Sequence, residues 1–149
     1  MSKTSINFFL IFLLVCFSLV LFNINQVQAS EHYQVVIHPE VQEKKLSVNV
    51  LRAIFSMRLR TWSNGTIIRV YVLSDNNELH HDFSKEKLNV FPYQLRLTWD
   101  RLVFSGTGQA PTHVDSPSEM QARIANTPGA IGYLNTAYIN EEIQVIYVK

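Results

Sequence analysis

Cysteine is almost missing from this chain of 149 residues, and so is any surplus of charge. The one cysteine, Cys16, lies within an apolar run near the N-terminus. If that run is cleaved away, disulfides, thiolate chemistry and cysteine-ligated metals go with it. The formal net charge of +1 gives no reason to expect a nucleic-acid partner or an acidic tail. Low-complexity tracts, linkers and internal repeats are also lacking, so nothing divides the chain after its first run.

Residues 1–29 read as a secretory signal. Lys3 supplies the positive n-region, Phe8 to Phe22 is apolar apart from Ser18, and Val27-Gln28-Ala29 has the small-residue spacing of a signal-peptidase site. An uncleaved anchor would need a longer run, about 20 residues. A lipid-modified signal would need a small residue before a cysteine at the end of the run, whereas bulky Val15 precedes Cys16 in its middle. The expectation is a periplasmic or secreted protein, cut near Ala29, with no membrane contact beyond the signal. The 13 basic residues less Lys3 leave 12 against 12 acidic ones. Residues 30–149 are enough for one domain with a real core and too few for two.

Ile67 to Phe83 is the stretch around which the rest is organised. It opens with β-branched and aromatic residues suited to a buried strand, crosses a polar turn, and enters a short helix with Leu79 and Phe83 four apart. Such a strand-to-helix turn presents free backbone N–H groups to an anion. Upstream, Tyr33 to His38 reads as a buried strand ended by Pro39, and Glu40 to Leu46 as polar connection. Ser47 caps a helix with Leu51, Ile54 and Phe55 on one face. Trp62 and the Asn64-Gly65 turn lead back to the strand at Ile67.

Downstream, a polar stretch runs to Asn89. Pro92 opens a longer helix with Leu95, Trp99 and Leu102 on its buried side, closed at Gly106. His113 to Asp115 reads as loop. Ser116-Pro117-Ser118-Glu119 starts a helix that buries Met120 and Ile124. Asn126-Thr127-Pro128-Gly129 is a turn, Ala130 to Leu134 a strand, and Ile143 to Val148 a last one. Strands alternating with helices argue an α/β structure with a mostly parallel sheet.

Four motifs in this order resemble a known family: Leu51-Arg52-Ala53-Ile54-Phe55, then Trp62 with Asn64-Gly65, Leu102-Val103-Phe104-Ser105-Gly106, and Thr127-Pro128-Gly129-Ala130-Ile131-Gly132-Tyr133. Together they look like the PstS-like phosphate-binding proteins of ABC transporters, within the type 2 periplasmic binding proteins. The likeness runs from about Val35 to Tyr133 and covers one lobe of a two-lobed receptor. It implies a single three-layer-like lobe, a mostly parallel or mixed sheet flanked by helices, and an exported, cofactor-free binding protein rather than an enzyme. In phosphate binders the strand matching Ile67 to Leu73 is followed by an Arg and then Ser-Gly-Thr opening a helix. Here those positions carry Leu73 and Asn77-Glu78-Leu79. The cation is lost, and Glu78 brings a carboxylate that repels phosphate.

The remaining constellations have plainer explanations. Ser105-Gly106-Thr107 spells the phosphate tripeptide but follows a helix instead of preceding one, so it reads as a cap. His80-His81 reads as solvated helix surface, since helical neighbours point about 100 degrees apart. Arg58, Arg60 and Arg69 could form a small anion patch with Arg52, but dipole complement and surface charge explain them more simply. His113 and Asp115 flank a loop without a nucleophile. Asn64-Gly65-Thr66 fits a glycosylation sequon that the turn explains without sugar. Trp62 and Trp99 read as packing residues.

Two function classes follow. One is a solute-binding module for ABC-type uptake, holding phosphate or another small anion weakly through Ser74, Asn76 and Asn77, with a partner chain or homodimer completing the cleft. The other is an envelope protein-protein interaction or structural module that kept the lobe and lost the solute site.

Overall fold

Residues 33–149 are described by the computed structural model, so the signal read at residues 1–29 lies outside the described residues. Strand β1 is Tyr33–Ile37 and β2 the two residues Lys45–Leu46. Helix α1, Val48–Phe55, begins where expected: the Ser47 hydroxyl accepts the Val50 N–H at 3.2 Å, and Leu51, Ile54 and Phe55 are buried. Strand β3 is Arg69–Val72, shorter than the sequence suggests. Ile67 lies outside it, bridged to Thr61 and half exposed.

Helix α2, Glu78–Asp82, runs on into a π-helical turn, Phe83–Lys87. This corrects the reading of a polar connection after Phe83, because Phe83 and Ser84 are both buried. The wider turn brings Phe83 over the sheet while keeping Lys85 and Glu86 in solvent. Helix α3, Pro92–Phe104, buries Leu95 and Trp99, and the Trp99 indole donates to the Phe55 carbonyl at 2.8 Å. Strand β4, Thr112–His113, takes up part of the expected loop, and it forms because β3 offers it a free edge.

Helix α4 is Pro117–Asn126. Ser116 caps it by accepting the Glu119 N–H, while the Glu119 carboxylate reaches back to the Asp115 N–H at 2.9 Å. Strand β5 is Ala130–Asn135. The last predicted strand is in fact two, β6 at Gln144–Val145 and β7 at Tyr147–Val148, which join different sheets.

The main sheet has the order β4-β3-β5-β1-β6, and β2 pairs with β7 apart from it. β4, β3 and β5 run parallel, and β1 is antiparallel to both β5 and β6. Four of the five strands therefore share one direction, giving a mixed, mostly parallel α/β sheet flanked by helices. Alternation along β5 explains the layering. A side chain at Gly132 would run into Ile124 and Met120 of α4, so glycine lets that helix settle on one face. The next residue, Tyr133, points to the other face, where it meets Phe55 and stacks on Phe83 with centroids 4.1 Å apart.

One turn holds two segments together. The Gly129 carbonyl accepts from both the Arg69 N–H and the Trp62 indole, each at 3.0 Å. Its φ of +77° lies in the left-handed region, and a Cβ there would drive into the Ile67 carbonyl oxygen. Gly106, with φ +68°, has open space around it. Gly129→Ala should therefore cost about 3 kcal/mol and Gly106→Ala about 1 kcal/mol, as read by urea unfolding. Equal losses would show that the Trp62 and Ile67 joint adjusts freely.

Candidate functional site

Beyond Val72 the chain leaves the sheet, and Leu73 is the first residue of the connection to α2. It is fully buried, and its N–H donates to the Tyr133 hydroxyl at 2.9 Å. A core residue thus stands where the resemblance calls for a cation. The turn is closed by the Asn77 N–H on the Ser74 carbonyl at 2.9 Å, and the Asn77 side-chain oxygen caps α2 by accepting the Leu79 N–H at 3.0 Å. Ser74 and Asn76 are exposed, as is Glu78 in the first turn of the helix. Ser74, Asn76 and Asn77 therefore lie together, but Asn77 has committed its acceptor to its own backbone.

The strongest polar contact here involves residues that spacing alone did not single out. Asp75 is held by Arg96 of α3 in a two-pronged pair, Nε to Oδ2 at 3.1 Å and Nη2 to Oδ1 at 3.0 Å. The Arg96 guanidinium also lies 5.8 Å from the Trp99 ring, and its hydrogen bond with Asp75 pushes its pKa further up. The turn thus carries its own anion with a cation already paired to it.

Behind the pair lies His80, and its placement overturns the reading of His80-His81 as solvated surface. His81 is exposed, whereas His80 is fully buried. Its Nδ1 is 2.5 Å from the Tyr133 hydroxyl, and its Nε2 stands 3.8 Å from Asp75 Oδ1, beyond hydrogen-bond reach. Burial is the main force pushing its pKa down to about 4; Asp75 opposes this, and His113, Arg96 and His81 add to it. Burial also raises the pKa of Tyr133, so that hydroxyl keeps its proton. It accepts from Leu73 and donates to Nδ1 of a neutral ring, which leaves the proton of His80 on Nε2. His113 on β4 lies edge-on to Trp99, and burial lowers its pKa as well.

Chemically, this is a buried polar plug under a short carboxylate-lined rim, with His80 Nε2 left without a hydrogen-bond partner. Its tyrosine is held protonated, its histidine neutral and shielded, and its one arginine paired. Among the described residues no group of three or more His, Cys, Asp or Glu side chains is placed to hold a metal. No helix among them is long and apolar enough to cross a membrane.

The fold has clear relatives. A family described as the PBP superfamily domain matches residues 24–146. Among solved structures, PstS from Borrelia burgdorferi superposes with a TM-score of 0.61 at 14% identity, over 79% of this chain and 47% of that one. An ABC-type phosphate transport receptor from Vibrio cholerae gives 0.59 at 12% identity, over 78% of this chain and 46% of the receptor. The chain spans less than half the length of these proteins, and at such identities the likeness concerns the fold alone. No curated protein matches the sequence.

The His80 environment sets a pH dependence. Its folded pKa of about 4 lies below the ordinary 6.5, so between those values the unfolded chain binds a proton that the fold excludes. This stability is present above about pH 6.5 and is lost as pH falls toward 4, to the extent of about 3 kcal/mol. Urea unfolding at several pH values should show the loss in the native chain and a smaller one in His80→Gln. Parallel curves for the two would rule out this role for His80.

Proposed function

The chain belongs to the PBP superfamily domain family, and from that membership we propose that it is a non-catalytic module of the cell envelope which keeps a solute receptor's fold without its grip on free phosphate. It acts through contact with a partner chain, or a second copy of itself, laid over the β3–α2 turn. The observation that carries this reading is the Asp75–Arg96 pair, with both prongs formed and Glu78 following in the first turn of α2. An arriving phosphate would have to displace a covalently tethered carboxylate and approach a second one. Leu73, buried in the core, offers no replacement cation. The signal read at residues 1–29 supports the envelope location.

A second reading rests on Ser74 and Asn76. Both are exposed, and their hydroxyl and amide are open to a small anion held weakly through neutral donors, joined by the Asn77 amide nitrogen. Water screens any charge interaction on so open a rim.

Thermal unfolding with added phosphate separates the two. The native protein should show no rise in melting temperature at millimolar phosphate, whereas Asp75→Asn, which frees Arg96, should gain one of about 2 °C. A rise in the native protein would favour the second reading and sink the first. A photo-reactive residue at Asn76 should trap a defined chain in cells, and one at exposed Lys45 of β2 should not. Equal trapping from both would remove the proposed contact face.

A further inference from the structure

A second cavity lies away from this turn, at the opposite end of β3. It is a groove of about 420 Å³ between the start of that strand and the loop after α3, a size within the range of small-molecule sites. Its origin is topological. β4 pairs only with Tyr71 and Val72, so the first half of β3 has β5 on one side and no strand on the other. The gap is closed below by the Thr61–Ile67 bridge, where the Ile68 N–H donates to the Arg60 carbonyl at 2.8 Å, and above by β4. A space stopped at both ends suits a small molecule better than a strand from another chain.

Two arginines line this groove, Arg60 and Arg69, and no acidic residue does. Arg60 is fixed in place, with Nη2 donating to the Thr107 carbonyl at 2.9 Å and Nε to the Met57 carbonyl at 3.3 Å. Gly108 makes room for it, since a Cβ there would come within 2.8 Å of Nη2. Arg69 is exposed, and among the described residues it makes no ion pair. Met57, Ile67 and Pro111 add apolar wall. Met57 takes its φ of 61° from closing α1, with its own N–H on the Ile54 carbonyl and the Arg58 N–H on the Ala53 carbonyl, and that turn sets its side chain at the groove.

We propose that this groove binds a small organic anion, a carboxylate or phosphate monoester on an apolar body. Arg69 and the unbound edge of Arg60 take the charge, and Met57, Ile67 and Pro111 receive the body. This site is separate from the β3–α2 turn and stands independently of the function proposed there.

Calorimetric titration of the full chain at low ionic strength tests it, with octanoate and phenyl phosphate as probes and benzyl alcohol and hexaglutamate as controls. At least one of the acids should bind at millimolar concentration or below, the alcohol should not, and the peptide should bind more weakly than the acids. Arg69→Gln, a change at an exposed position, should weaken the acid about tenfold, the cost of one charge-assisted hydrogen bond. Gly108→Ala, which displaces the Arg60 guanidinium, should weaken it too, and Asp75→Asn should leave it unchanged. The proposal is overturned if neither acid binds, if Arg69→Gln binds as well as the native chain, if Asp75→Asn loses as much as Arg69→Gln, or if hexaglutamate outbinds both acids.

Discussion

The Tyr133 side chain is the point through which β5, the end of β3 and α2 are fastened together. It leaves the central strand β5 toward the face covered by α1 and the π-turn, stacks on Phe83, and ends in a hydroxyl that accepts from Leu73 and donates to His80. A single ring thereby ties the exit of β3, the middle of α2 and the turn that follows it. An apolar ring would fill the same volume and leave the Leu73 N–H and the His80 ring nitrogen without partners in the core, a cost of about 1–3 kcal/mol for each. The segment from Leu73 to His80 has its shape because both its ends are pinned to this phenol.

That pinning accounts for the chemistry of the turn. With Leu73 drawn inward and Asn77 bound to its own helix, Asp75 is carried outward to where α3 brings Arg96 within reach. A receptor loop holds a mobile anion with fixed donors. Here the anion is fixed as well, and the arginine that would compete for a solute is already engaged. The arrangement stabilises the loop and leaves the rim neutral or acidic toward anything arriving from solvent.

Much of the fold was legible in the sequence because it is encoded locally. The cap at Ser47, the Ser116-Pro117 start, the left-handed glycines at 65, 106 and 129, and the buried faces of α1 and α4 each follow from a few adjacent residues. The candidate site was less legible because its contacts cross the chain. Asp75 meets Arg96 and His80 meets Tyr133 over 21 and 53 positions, and no periodicity announces either. His80 and His81 look alike as neighbours in sequence, and only the phenol of Tyr133 draws one of them inside. The two-residue strands and the direction of β1 were hidden for a related reason: side-chain alternation reveals that a strand exists and says nothing of which way its neighbours run.

The sheet order carries a consequence for how the molecule is made. β1 is the first strand described, yet its partners β5 and β6 belong to the last quarter of the sequence, and the Val48 N–H at the start of α1 is taken up by the carbonyl of Lys149. During synthesis the early segments therefore wait, unable to complete their ladders until nearly all the later ones have appeared. Such late closure keeps the nascent chain open for most of its synthesis.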